Sequence, residues 1–471
     1  MAQSLQGVHQ LGVHEIVRGL PPRAALVFYS LLLACSVILL LLRRRRLATS
    51  CSAAARAREQ LLSKLPSPPR RLPVIGHLHL VGALPHVSLR DLAAEHSRDG
   101  LMLLRLGAVP TLVVSPPLVV RLVMAKIHKA AGVGMVVDLS SLLNSFTNNI
   151  VCHAVSGKFY REEGRNELFR ELVEANSSLM GGFNIEDYFP SSVKLDMIKR
   201  MLCAKAQKVN KRWNELLDKL IDDHERRSAS QHGDEENDFI DVLLSIQEEY
   251  KLTRDHIKAQ LEIMFEAATD TSFIVLEYAM IMLMQNPDVM AKLQTRMRMT
   301  IPKGKEMVTE DDLNANDMDF LKAVIKETLR LHAPAPLLAP HLSMADCDIE
   351  GYTIPSGTRV IVNAWALARD PSQWERAEEF MPERFMEDGS AFAIDYRGNY
   401  LTYLPFGTGR RICPGIRFAI SSIEIMLANL VYHFNWALPL ESKDKGIDMS
   451  ESFGVTVHRR EKLLLVPVLP Q

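Results

Sequence analysis

The sequence predicts a mainly α-helical protein with small β-sheets, and three observations lead there. Apolar residues recur at helical spacing over Asp138–His153, Arg161–Leu179, Asn210–Arg227, Arg254–Met284, Asp317–His332 and Ile416–His433. The segments that read as extended are short and bounded by glycine and proline, such as Leu101–Leu106 and Thr111–Ser115 on either side of a turn at 107–110. The chain has 471 residues, 47% hydrophobic and 24% charged, an ordinary globular balance that one large domain can accommodate.

Composition excludes some classes. A net charge of −1 gives no reason to expect nucleic acid as a partner. Cys35, Cys51, Cys152, Cys203, Cys347 and Cys413 are scattered without close pairs. That is neither a zinc pattern nor a disulfide framework, and it suits a reducing compartment.

At the N-terminus, Ala24–Leu42 carries no charge and is followed at once by Arg43–Arg46. The run is about long enough to cross a bilayer. A cleaved signal peptide is the competing reading, but its apolar core is shorter and ends in small residues rather than four arginines. By the positive-inside rule everything after Leu42 lies in the cytosol. Leu65–Gly76 is too rich in proline to be helical and reads as an extended linker. The expected organisation is an N-terminal region at 1–46 with an anchor helix at 24–42, a linker and proline-rich hinge at 47–76, and the body at 77–471.

Within the body, Ser88–His96 reads as a short helix, and Pro116-Pro117 leads into a helical stretch at Leu118–Val123. Gly181–Pro190 and Ser228–Asp238 read as loops. Strands are expected around Cys347–Ile354 and Arg359–Asn363, and a terminal hairpin from Phe453–Val457 and Leu463–Val468 joined by His458–Glu461.

Three groups of residues bear on chemistry. In Phe406-Gly407-Thr408-Gly409-Arg410-Arg411-Ile412-Cys413-Pro414-Gly415, two glycines allow a tight turn and Pro414 opens a helix behind Cys413. The helix mouth and two arginines favour thiolate, the form that binds metal; the plain alternative is a cysteine packed as a small hydrophobe. Asp270 and Thr271 interrupt the apolar Arg254–Met284 stretch, either as a functional pair or as a local capping site, and Thr271 is able to bond back to the carbonyl one turn earlier. Glu327 and Arg330 share a helix face, where an exposed pair would contribute under about 1 kcal/mol.

The series Phe406, Gly409, Arg411, Cys413, Gly415 resembles the haem-binding loop of the cytochrome P450 family, and further motifs follow in the family's order. The resemblance implies a mostly α fold with small β-sheets, in which 77–471 is the haem-thiolate catalytic domain. It implies that Cys413 is the axial thiolate of haem b (iron protoporphyrin IX), favouring O–O cleavage. Arg411 would pair with a haem propionate, as would His341, while Phe406 would pack beside the sulfur. Ala267-Ala268-Thr269-Asp270-Thr271-Ser272 resembles the oxygen-activation motif, with Ala267 beside the cofactor and Asp270 and Thr271 as the proton-relaying acid and alcohol; the family's usual glycine is Ala268 here. Glu327, Arg330 and Arg384 would form a buried structural triad that holds the cysteine loop. Ala335, Leu337, Leu338 and Phe453 would face the substrate.

The implied reaction is insertion of one oxygen atom of dioxygen into a small apolar molecule, with electrons from NADPH through a separate NADPH-cytochrome P450 reductase. No dinucleotide or flavin fingerprint is visible in this chain, in keeping with an external donor. An endoplasmic reticulum membrane is the implied site, single-pass, with the catalytic domain cytosolic. The hinge and the Pro334–Leu338 segment are similar to plant microsomal members of specialised metabolism, with an indole-derived benzoxazinoid precursor as the nearest substrate.

The chain departs from the family after about residue 116. The helix with a Trp-x-x-x-Arg motif, whose side chains reach the propionates, has no counterpart: the first tryptophan is Trp213, and no aromatic residue lies between Tyr29 and Phe146. Two further readings follow. The chain is a truncated, non-catalytic relative with weak or absent haem, or it keeps haem for a rearrangement that needs no reductase; the Asp270–Thr271 pair speaks against the latter.

Overall fold

The computed structural model describes residues 67–69, 101–106, 109–114, 117–156, 163–181, 196–230, 238–315, 318–442, 445–452 and 454–470. The anchor at 24–42, nearly all of the proline-rich segment, the 88–96 helix, most of both expected loops, and Phe453 lie outside them. The chain divides into two compact units, 1–79 with 95–113, and 80–94 with 114–471.

In the first unit, β1 (Leu101–Leu106) pairs with β2 (Val109–Val114). The second strand begins earlier than the sequence suggests and includes Pro110, which an edge strand tolerates because its N–H side need not be paired.

The second unit is mainly helical. α1 (Pro117–Gly132) opens on proline, α2 (Leu139–Ser156) follows the two-residue strand β3 (Val137–Asp138), and Asp138 caps α2 by accepting the Ser141 N–H at 2.9 Å. α3 (Glu163–Gly181) and α4 (Asp196–Ser230) come next. At 35 residues α4 is much longer than the expected Asn210–Arg227, because its added turns carry polar residues that blur the apolar stripe. α5 (Phe239–Ser245) starts from a capping box at Asp238.

The central element is α6 (Arg254–Gln285), started by a Thr253–His256 capping box. From Ser272 to Leu283 every residue is buried, so this half is apolar all round rather than amphipathic. It is the one helix among the described residues long and apolar enough to cross a membrane, and about two-thirds of its most apolar window is buried in the protein. α7 (Pro287–Thr300), α8 (Glu310–Ala315) and α9 (Asp319–Leu331) follow, then the pairs β4 (His341–Leu342) with β7 (Arg359–Val360) and β5 (Cys347–Ile349) with β6 (Tyr352–Ile354). A short α10 (Ala364–Leu367) precedes a long irregular stretch that ends at α11 (Ile416–His433).

Two apolar clusters hold this unit. The larger joins α1, α2, α6, α7, α9 and α11 around residues such as Ile127, Phe146, Leu276, Phe320 and Leu427. The smaller joins α3, α4 and the first half of α6, with Phe169 at 4.9 Å from Phe265 and 6.0 Å from Trp213, ring centre to ring centre.

The terminal hairpin expected from 453–457 and 463–468 does not form. β9 (Glu451–Ser452) instead pairs with β10 (His458–Arg459), while β11 (Leu464–Val468) lies between β3 and β8 (Asn435–Ala437). The alternation of β11, with Leu465 and Pro467 buried, is satisfied by partners far away in sequence, which a local hairpin reading does not weigh.

Candidate functional site

Cys413 stands at the mouth of α11. Its N–H donates to the Phe406 carbonyl at 3.0 Å, closing the loop, and Ile412 N–H donates to Gly409 at 3.2 Å. Gly407 and Gly409 have φ of +72° and +70°, the left-handed region that glycine enters without strain. A Cβ added at either would meet nothing within 4 Å, so no described residue packs against the turn at these two positions. The sulfur is half-buried and in no disulfide, and Gly415 starts α11 without any side-chain cap, leaving the first amides of the helix to act on whatever lies there.

Arg411 is exposed and forms no ion pair among the described residues. Phe406 is half-buried and meets Tyr396 edge-on at 5.8 Å. A partly exposed thiol, an uncapped helix mouth and an unpaired guanidinium fit thiolate-ligated haem, which takes an axial sulfur and a cation for a propionate.

A buried ion-pair cluster is built on α9. Glu327 receives both prongs of Arg330, at 2.7 and 2.9 Å, and Arg384 at 3.0 Å; all three side chains are almost completely buried. Glu327 also accepts the Met381 N–H at 2.9 Å, while Arg330 donates to the carbonyls of Ala368, Ala377 and Glu379. The Arg330 guanidinium lies 5.1 Å above the Trp374 ring. One buried carboxylate thus fastens α9 to the stretch from Ala368 to Arg384. Tyr403, fully buried, donates to the Lys326 carbonyl at 2.9 Å and so ties the segment just before the cysteine loop to α9.

On α6, Thr271 Oγ1 donates to the Ala267 carbonyl at 2.6 Å, the back-bond expected of a mid-helix threonine. Ala267 is exposed, whereas Thr269 and Ser272 are buried with hydroxyls that have no protein partner. Ala268 and Phe418, the latter in the first turn of α11, pack against the same apolar cluster, which draws this part of α6 towards the helix that carries the sulfur.

Asp270 is buried. Its Oδ2 accepts from Thr456 Oγ1 at 2.6 Å and pairs with His458 Nε2 at 3.1 Å. Ser177 of α3 bonds to the same Thr456 hydroxyl at 2.8 Å. One turn earlier on α6, burial pushes Glu266 up to about 7, with the charges of Glu262 and Asp270 adding to the shift against the Asn176 amide.

Val457 N–H donates to the Pro334 carbonyl at 2.9 Å, so the C-terminal segment also meets the loop expected to face substrate. In that loop Ala335 and Leu338 are half-buried and Leu337 is exposed; Leu338 has φ of +52°, costly for a side chain with a Cβ. His341 is exposed on β4. Thr456, His458 and Ser177 carried no signal in the sequence, because each is ordinary alone and their contacts are remote: Thr456 reaches Asp270 across 186 residues, and Ser177 reaches Thr456 across 279.

A groove of about 1240 Å³ lies elsewhere, walled by α7, α9 and the stretch around Glu383–Arg397, with Lys292 and Glu383 paired across it. Of the site residues only Arg384 lines it, so it is separate from the cysteine loop.

The cytochrome P450 family model matches residues 119–466. Indole-2-monooxygenase of Zea mays is 49% identical over 484 aligned residues, covering 88% of this chain and 89% of the relative. Indolin-2-one monooxygenase and 3-hydroxyindolin-2-one monooxygenase of the same plant are 46% and 45% identical, covering 88% and 86% of this chain and 91% and 89% of the relatives. A family match over most of the chain and relatives 45–49% identical to it place this protein in the cytochrome P450 family of monooxygenases.

Proposed function

We propose that this protein inserts one oxygen atom of dioxygen into a small apolar plant metabolite, an indole-derived benzoxazinoid precursor, using haem held by Cys413. The observation that carries the reading is the half-buried thiol at the uncapped mouth of α11, inside the matched span. Bound haem supplies the centre at which dioxygen is cleaved, one atom going to the substrate and the other to water.

The chain's own residues do the rest. Cys413 offers the thiolate, Arg411 and His341 pair with propionates, and Phe406 shields the sulfur. Asp270 and Thr271 move protons, a task that a buried acid beside a hydroxyl suits. Ala335, Leu337, Leu338 and Phe453 exclude water around the substrate. Glu327, Arg330 and Arg384 keep the loop in place and take no part in the chemistry. Electrons come from NADPH through a membrane-bound reductase, and the 24–42 helix holds the protein on the endoplasmic reticulum with its catalytic domain in the cytosol. The substrate class rests on the relatives, whose names specify indole and two indolinones.

One observation favours a second reading, a truncated relative with weakened haem binding. The alignment with the 49% relative runs over 484 positions, more than the whole 471-residue chain, yet takes in only 88% of it. The relative therefore has residues with no counterpart here, and the family match starts at residue 119, just past the point where the Trp-x-x-x-Arg helix is missing.

A reduced carbon monoxide difference spectrum of the folded full chain separates the two. A thiolate-type band that disappears in Cys413→Ala supports the monooxygenase; folded protein without that band overturns it in favour of the truncated relative.

A further inference from the structure

Resting on the monooxygenase reading, we propose that His458, steered by Thr456, is the solvent-side entrance of the proton route to Asp270. The balance of the reaction requires such an entrance. Each turnover combines one substrate C–H, one dioxygen, two electrons from the reductase and two protons to give one hydroxylated product and one water. A buried acid next to Thr271 is able to pass on a proton only if another group restores it.

Among the described residues His458 is the one titratable side chain bonded to the Asp270 carboxylate. It also lies further out: its side chain is 23% exposed against 7% for Asp270, so the pair forms a step from solvent inwards. Thr456 fixes that step. Its hydroxyl proton goes to Asp270 Oδ2 while its oxygen takes the Ser177 hydroxyl, so the carboxylate is aimed from α3 and from the C-terminal segment at once. Both donors use Oδ2, and Oδ1 has no protein donor among the described residues. In the step itself the Nε2–H bond of the imidazolium breaks, an O–H bond forms on Asp270, and the neutral ring recovers its proton from solvent.

The alternative entrance is Glu266, one turn away on the same face of α6, and chemistry disfavours it. Glu266 meets Asn176, which donates to it and to Glu262; an amide that only donates does not relay protons. The charged groups around His458 are Asp270 and Glu277 of α6 and Glu174 of α3. Burial disfavours its imidazolium, but the bond to Asp270 and these three negative charges outweigh that and raise its proton affinity above the ordinary histidine value.

The test uses haem-loaded full chain with its reductase, after the carbon monoxide spectrum has been recorded. Glutamine at 458 can still donate a hydrogen bond but cannot titrate, so it separates a proton carrier from a pin between β10 and α6. In the wild type, product formed per NADPH is expected to fall as pH rises through the His458 titration. His458→Gln should be lower by about tenfold, flat with pH, and show a larger solvent deuterium isotope effect. Independently of turnover, NMR titration should place His458 above exposed histidines, and Asp270→Asn should lower its proton affinity by about tenfold. A thiolate band with an unchanged coupling profile in His458→Gln, or a His458 titration indifferent to Asp270→Asn, overturns the relay alone. Folded protein with no thiolate band overturns the monooxygenase reading and the relay with it.

Discussion

Glu266 shows how a single side chain on α6 ties folding to pH. Burial raises its carboxyl to about 7, and the nearby Glu262 and Asp270 add to the effect. A carboxyl raised in the folded state binds its proton more tightly there than in the unfolded chain, so its contribution is full below the ordinary carboxylate range and is lost as pH rises through about 7. Glu266→Gln, which keeps the neutral form permanently, should therefore be nearly neutral in chemical denaturation at about pH 4 and more stable than wild type at about pH 8, by about 1 kcal/mol once discounted for a half-buried site. His458 runs in the same direction for a different reason. Its raised proton affinity stabilises the fold below the ordinary histidine value and is lost as pH rises through the folded value, and His458→Gln should remove that slope in the same denaturation series. At this scale the sequence told the two kinds of residue apart unevenly. Cys413 and its neighbours are contiguous, so their turn and helix mouth are local facts. Asp270 was identifiable, but its partners Thr456 and His458 were not, since nothing near position 458 indicates an acid on α6.

Among the elements, the joint between α9 and the stretch from Ala368 to Arg384 is where a small change should act at a distance. Glu327, Arg330 and Arg384 are too buried to lose one member cheaply, because the remaining charge would stay out of water with no counter-charge. Arg330→Ala should cost about 3–5 kcal/mol in denaturant unfolding, and Arg330→Lys should recover only part of that, since an ammonium cannot reproduce the two-pronged grip and the three carbonyl contacts. The same variants should lose haem faster than wild type at temperatures where both remain folded, as the tie that Tyr403 makes between α9 and the segment just before the cysteine loop loosens. Sequence spacing put Glu327 and Arg330 on one helix face but could not distinguish an exposed pair from a buried one, because burial depends on what covers the face. The length of α4 and the partners of β11 escaped for the same kind of reason. Polar residues on a long surface helix dilute the apolar period, and strand pairing is set by tertiary neighbours.

For the whole molecule, the truncated reading and the monooxygenase reading differ in how tightly a P450 chain with no tryptophan before Trp213 keeps its cofactor. Cys413, the buried triad and the central helix all belong to the part of the chain that the family match covers. Placing the corresponding segment of the 49% identical relative after Pro116 should slow haem loss, measured by transfer to a haem-free acceptor protein, and Cys413→Ala should abolish the thiolate band with or without the insert. What the sequence by itself determined was the family and the order of the main helices, because motifs and apolar periods are written in neighbouring residues. Only the tertiary structure decided that β11 joins β3 and β8, and that Asp270 is held by His458 and Thr456. Those outcomes depend on which distant surfaces exclude water from one another, and no local pattern records that.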